Sequence, residues 1–486
     1  MRSFAVAAIV TSAVAAVLTG QPASTVVITG VTVITGDDEP RRVANVVVRD
    51  GLIAEIGPPG PARAAGAIVD GRGKFLIPGL WDMHVHLATR PEPLIAEKVM
   101  LPLFLTHGIV GVRDMGGPLE RVLDLRARAA RGDLAGPRIL TPGPFVDGPG
   151  EASAMFRRLA DAPAAAVEVP ALAGAGVDFI KVQSGLEPGM HSALARAARA
   201  ANVPLAGHIP VAMTAEEILA SGQRSLEHIS PALAEDGLLL FACSTASAEL
   251  IGELRAIARD RATGPATEIA LREAALRQRV VETYDPLRAR ALGRSMRERQ
   301  VWIVPTLIFS ASLRPLTREH DGTDLPMEVV PVATRTRWLE GRKRYLDRQT
   351  EQGFAAAAAL AGTAARAVRD LHAGGAKVLA GTDTFDAFVL PGFSLHQELQ
   401  LLVGAGFSPL HALQAATRNA AEYRGTLKTE GTIRPGKRAD LVLLDGDPLI
   451  DIANARRVAA TIVGGRVYSR DRLDALAAGV KAFGAN

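Results

Sequence analysis

The stretch FLIPGLWDMHVHL, residues 75–87, decides the reading of this chain. It is an apolar run that ends on two histidines one residue apart, His84 and His86. In an extended strand, side chains at i and i+2 leave the same face. The two imidazoles therefore converge on one point at the end of the strand, an arrangement suited to a shared metal ion. Taken singly, each is more simply a hydrogen-bonded core histidine. The metal reading needs further ligands from elsewhere in the chain.

Seven other stretches have the same apolar form: GIVGVRDM (108–115), PRILTPGP (137–144), VDFIKVQ (177–183), VPLAGHI (203–209), RSLEHI (224–229), VWIVPTL (301–307) and AKVLAGTD (376–383). Each is followed by Ala-, Leu- and Arg-rich sequence of helical character, the alternation of an α/β fold with parallel strands. Eight such units predict a (β/α)8 TIM barrel, whose active site lies where the strands end. His84, His86, Lys181, His208, His228 and Asp383 all fall at strand ends. A random scatter of ten histidines would not put four of them there.

Imidazoles and carboxylates suit Zn²⁺ and related divalent ions. Four histidines and an aspartate exceed what one tetrahedral catalytic ion needs, so two metals are expected. An ammonium beside two dications is strongly disfavoured, whereas a deprotonated Lys181 can add CO₂ to become a carbamate that bridges them. The carbamate, Asp383 and a bridging hydroxide then offset three of four positive charges.

Outside the barrel, VVITGVTVITG (26–36) and VANVVVRDGLIAEIG (43–57) are short β-branched runs broken by Gly and Asp. ADLVLLDGDP (439–448) and VAATIVGGRVY (458–468) repeat that texture at the far end. Both ends thus predict one small β-sandwich domain with the barrel inserted between them. The expected division is a signal peptide at 1–23, sandwich segments at 24–74 and 426–475, the barrel at 75–425, and a tail at 476–486. The signal reading rests on Arg2, an apolar run from Phe4 to Leu18 and a small-residue exit near Ala23. That run is short for a membrane span, although an uncleaved anchor is the alternative. The expected location is secreted or periplasmic, with no membrane association after signal removal.

Of 486 residues, 55 are basic and 51 acidic, a net charge of +4 with no Lys/Arg block interleaved with aromatics. That composition argues against a nucleic-acid partner. The single cysteine, Cys243, excludes an internal disulfide framework and a cysteine-based zinc site. No phosphate-binding loop or dinucleotide fingerprint follows any strand. The partner expected is a small-molecule substrate, with homo-oligomerisation left open.

The motifs PGLWDMHVHL, FIK, AGHI, LEHI and AGTD, in this order, resemble the metal-binding positions of the amidohydrolase superfamily. The resemblance spans about residues 25–470, including the closing GTIRPGKRADLVLLD. Within the superfamily the chain is similar to the branch of imidazolonepropionase-like proteins and Xaa-Pro dipeptidases (prolidases). This resemblance implies His84, His86 and Asp383 on one metal, His208 and His228 on the other, and carboxylated Lys181 between them. It implies hydrolysis of an amide bond in a dipeptide or N-acyl amino acid, through attack by a metal-bridging hydroxide. Asp383 would act as the proton carrier. Esterase, lactonase or phosphotriesterase chemistry on the same centre, or a non-catalytic binding barrel, are the alternatives. Peptidases of this branch carry a tyrosine two residues after the fifth-strand histidine, where this chain has Pro210. Adenosine-type deaminases place a glutamate three residues after it, where this chain has Val211.

Further candidates lie around the barrel. Arg113 closes the second strand and faces the active-site end, either to bind a substrate carboxylate or to support Asp114. His191 follows the fourth strand and is a candidate for the substrate pocket. His107 and His372 precede strands and read as structural, while His320, His396 and His411 read as surface or helix residues. Specificity is expected in loops 116–120, 144–152 and 184–190 and in the helical insertion 234–299, read either as a lid or as a surface addition.

Overall fold

The computed structural model describes residues 25–61, 66–89, 92, 94–229, 238–261, 263–312 and 325–485. The expected signal segment and His320 lie outside them.

The chain ends build one eight-stranded mixed sheet from Thr25–Val33, Arg42–Arg49, Leu52–Gly57, Ala67–Asp70, Phe75–Pro78, Leu441–Leu444, Val458–Val463 and Arg466–Ser469. The two ends meet where Phe75–Pro78 runs antiparallel to Leu441–Leu444, with Leu441 opposite Pro78. Hydrogen bonding runs continuously through this sheet. The sheet folds back on itself. Leu52 bridges Arg438, and a Cβ on Gly51 would lie 2.8 Å from the carbonyl oxygen of Gly464. Ile28, Val46, Ile53, Leu76, Leu443 and Ile462 form the core between its limbs. Alternating β-branched residues specify one apolar face, but the strand that bridges the two halves is chosen by tertiary pairing.

Phe75–Pro78 pairs within the small sheet, and Gly79 separates it from the strand Leu80–Val85. A Cβ at Gly79 would fall 2.4 Å from the Val110 side chain. The expected C-terminal tail belongs to the helix Arg470–Gly484, whose Leu473 and Val480 join the barrel's hydrophobic core.

The middle of the chain is an α/β structure with parallel sheets. Leu80–Val85, Ile109–Asp114 and Arg138–Leu140 pair in one set. Phe145–Asp147, Ile180–Val182, Leu205–Gly207, Ser225–Glu227, Trp302–Val304 and Lys377–Val378 pair in the next. The third predicted strand, 137–144, forms over Arg138–Leu140, and Gly143, whose φ of +70° interrupts the extended chain, separates it from Phe145–Asp147. Arg138–Leu140 pairs with the preceding strand and Phe145–Asp147 with the following ones. First and last strands are joined by Met83 N–H to Ala380 (2.9 Å) and Asp383 N–H to His84 (2.8 Å), so the strand ends form a ring. The insertion contributes helices Leu239–Ala242, Ser247–Asp260, Ala266–Thr283 and Pro286–Glu298. The last two pack against the long helix Glu351–Ala373.

Candidate metal centre

The first strand slips register against its neighbour. Asp82 pairs with Val112 but Val85 with Asp114, leaving one extra residue between them. Such a bulge reverses which side chains point inward. Trp81 and Met83 pack inside the barrel, while His84 and His86 turn together at its mouth, ring centroids 5.4 Å apart. Nε2 of His84 lies 3.3 Å from Asp383 Oδ1, and Nε2 of His86 lies 3.0 Å from it. Ligand atoms of these three residues all fall within 4.8 Å of one another. His84 Nε2 is buried and makes no hydrogen bond. An orphaned ring nitrogen beside a carboxylate and a second imidazole fits a divalent cation.

Local backbone places these side chains. Asp383 and His228 adopt left-handed φ values of +66° and +64°, unusual for residues with a Cβ. Two glycines make room. At Gly381 a Cβ would lie 2.5 Å from Val304 and 2.9 Å from His84. At Gly207, φ +140°, it would lie 2.2 Å from the Val182 carbonyl oxygen.

The His228 ring lies 4.7 Å from that of His84 and 5.0 Å from that of His208. Three imidazoles are fixed through Nδ1. His84 pairs with Glu227 Oε2 (3.0 Å), His208 with Ser184 Oγ (2.9 Å) and His228 with Thr306 Oγ1 (2.8 Å). Such partners set ring orientation. Lys181 is buried on the strand beside that of His208, opposite Ala206, and its charge acts on Glu227.

Electrostatics follow from this packing. Burial alone would raise the Asp383 carboxyl, but the close approach of the His84 and His228 rings and of His86 holds it well below the usual carboxylate range. Burial opposes charge on His86, yet the Asp383 carboxylate outweighs it and raises that imidazole. Burial likewise works against ionised Glu227, but Arg113 and His84 hold it far below the ordinary glutamate value.

The two candidate substrate-binding residues are located elsewhere. All five Arg113 donors are engaged. Nε donates to the Met83 carbonyl (2.7 Å), Nη1 to Ser225 Oγ and Tyr423 Oη (3.1 and 3.0 Å), and Nη2 to both Glu227 oxygens (2.8 Å each). Its partner is Glu227, not Asp114, which accepts from Leu87 N–H and Thr141 Oγ1. Arg113 thus supports the site from beneath and has no donor for substrate. His191 is fully buried in the helix Pro188–Ala200, where Nε2 contacts Gln223 Oε1 at 3.0 Å. Gln223 in turn donates to the carbonyls of Gly207 and His208. His191 therefore braces the fifth strand through Gln223. His396 is also interior, donating from Nε2 to the His107 carbonyl (3.0 Å).

Glu227, Ser184 and Thr306 were not anticipated. One signal was present for Glu227: a charge at an alternating strand position, next to a candidate ligand histidine, needs a buried counter-charge. Ser184 and Thr306 carry no such mark.

The Amidohydrolase family model matches residues 75–468, and the chain belongs to that family. It is therefore an amidohydrolase-family metal-dependent hydrolase, with His84, His86 and Asp383 as a candidate metal site. Among solved structures it is similar to a Xaa-Pro dipeptidase with bound methionine, at 19% identity and TM-score 0.65, over 92% of this chain and 100% of that one. A prolidase candidate from Bifidobacterium longum is 25% identical with TM-score 0.64, over 94% and 99%. A bottromycin amidohydrolase is 24% identical with TM-score 0.69, over 95% and 91%. These neighbours imply a TIM barrel with an accompanying β-sandwich domain. A dihydroorotase from Trichlorobacter lovleyi is 57% identical over 44 residues, which is 9% of this chain and 10% of that enzyme. Among the described residues no helix is long and apolar enough to cross a membrane.

Proposed function

We propose that this protein is a binuclear metallohydrolase that cleaves an amide bond in a small substrate, a dipeptide or an N-acyl amino acid. His84, His86 and Asp383 would hold one ion and His208 and His228 the other, with carboxylated Lys181 between them and Zn²⁺ as the metal. The observation that carries this reading is the orphaned His84 Nε2, 3.3 Å from Asp383 and held in place by Glu227 behind it. When bound, such ions lower the pKa of water and polarise a carbonyl.

The chain's own residues perform the rest. Asp383, held ionised by its imidazole neighbours, takes a proton from the attacking water and passes it to the leaving nitrogen. Glu227 keeps His84 in the tautomer with the proton on Nδ1. Phe145, with its ring centroid 5.7 Å from that of His86, supplies an apolar wall that limits water. A secreted or periplasmic location, read from residues 1–23, is part of this proposal.

The test is metal analysis together with a substrate panel. Protein loaded with Zn²⁺ should carry two ions per chain and hydrolyse dipeptides or N-acyl amino acids, and a chelator should abolish the activity. Turnover confined to lactones, esters or phosphotriesters would replace the amide reading. A folded chain that takes up no metal would sink it.

A further inference from the structure

The insertion between the sixth and seventh strands touches the loop after the fifth strand through Arg255. On the helix Ser247–Asp260, Arg255 donates from both Nε and Nη2 to the Val211 carbonyl, with Nε···O at 2.8 Å. Val211 is three residues past His208. Its N–H donates to the Ser184 carbonyl at 2.9 Å, and the Ser184 hydroxyl holds His208 Nδ1 at 2.9 Å. A short loop therefore separates Arg255 from a candidate metal ligand.

The geometry of the guanidinium matters. Val211 occupies its Nε/Nη2 edge. The remaining Nη1/Nη2 edge presents two parallel N–H groups, the fork that takes a carboxylate in bidentate fashion. Among the described residues no carboxylate pairs with Arg255, and Nη1 makes no hydrogen bond. The side chain is half-buried, and a carbonyl oxygen offsets none of its net charge. Pro210, beside Val211, has no N–H, so the backbone there contributes no donor at that residue. Arg113, another arginine at this end of the barrel, has every donor engaged.

We propose that Arg255 receives a free carboxylate of the substrate. The substrate class is then an N-acyl amino acid or dipeptide with an ionised terminal carboxyl, in preference to neutral amides, esters or lactones. This rests on the amide-hydrolase reading above and assigns the insertion a role in specificity.

The experiment compares wild type, Arg255→Gln and Arg255→Lys, each as full-length, metal-loaded protein. Isothermal titration uses a set of N-acetyl-L-amino acids and the same compounds as carboxamides. Hydrolysis of the corresponding dipeptides and dipeptide amides is followed in parallel. Wild type should bind carboxylates roughly ten- to a hundred-fold tighter than carboxamides, the range of one charged hydrogen-bonded pair. Arg255→Gln should bring that ratio close to one at unchanged metal content, and Arg255→Lys should restore part of it. A role confined to propping the Val211 loop would weaken both ligand sets equally and leave the ratio intact. That result overturns the proposal, as does a wild type without carboxylate preference. Arg255-dependent carboxylate binding without amide hydrolysis would instead sink the amide reading alone.

Discussion

Glu227 and Arg113 offer the sharpest test of how this site is held. Both are buried, at 2% and 1% exposure, and their carboxylate and guanidinium meet through two 2.8 Å contacts. Arg113→Met leaves a carboxylate in the barrel without its guanidinium, beside Ser225 Oγ (2.6 Å) and His84 Nδ1 (3.0 Å). Glu227→Gln leaves the guanidinium without its counter-ion. Removing one member of a buried pair costs about 3–5 kcal/mol, because the other charge stays behind unpaired. The double variant should cost clearly less than the two single losses added together, since no net charge is stranded. Glu227→Gln also weakens the acceptor of the His84 Nδ1 proton, so affinity for the ion on His84 should fall about ten- to a hundred-fold. Because the fold depresses the Glu227 carboxyl, its contribution is complete above the unfolded value near pH ~4.3 and is lost only as pH falls through the native one. Measurements at pH 7 therefore see all of it. Urea unfolding of the metal-free variants gives the stabilities, and competition with a chelating indicator gives metal affinity. Single variants that unfold within about 1 kcal/mol of wild type, or losses that simply add, would refute the reasoning.

Thr306→Val removes the hydroxyl that meets His228 Nδ1 at 2.8 Å. Metal affinity should drop about ten- to a hundred-fold, and an unchanged competition titration would count against Thr306 as the positioning group. Gly207→Ala should destabilise by more than about 3 kcal/mol, because a Cβ there meets the Val182 carbonyl oxygen at 2.2 Å in a backbone region closed to alanine. Gly189→Ala, in a helix with nothing within 4 Å of the new Cβ, should be neutral or stabilising by up to about 1 kcal/mol in the same unfolding assay. Burial pushes His107 down to about 4 and His396 down to about 3, so both are neutral in the native state. Their contribution to stability is complete above the unfolded value near pH ~6.5. It declines by about 1.4 kcal/mol per pH unit for each histidine as pH falls towards those native values. His396→Gln keeps a donor for the His107 carbonyl and removes one titrating group. Its stability should fall less steeply than wild type between pH 6.5 and 4, by about one proton, and parallel curves would contradict this.

Period and spacing made much of this protein readable without coordinates. A strand repeat of two makes His84 and His86 neighbours whatever surrounds them, and apolar runs alternating with helical sequence imply parallel strands closing toward one end. The glycines of AGHI and AGTD have a matching reason, since close backbone contacts at Gly207 and Gly381 leave no room for a side chain. Other features depended on which residues meet across long separations. Arg113 and Glu227 are 114 positions apart, and sequence offered Asp114 as an equally good partner. Ser184 and Thr306 are ordinary hydroxyl residues until the fold sets them against His208 and His228. The joining of both chain ends through Phe75–Pro78 was equally hidden, because an apolar run states which face is buried but not which edge it pairs with. Local chemistry along the chain thus determined the ligand types and the strand ends that carry them. Only the packed barrel decided which charges lie behind those ligands, because burial forces each one to find a counter-charge wherever the topology supplies it.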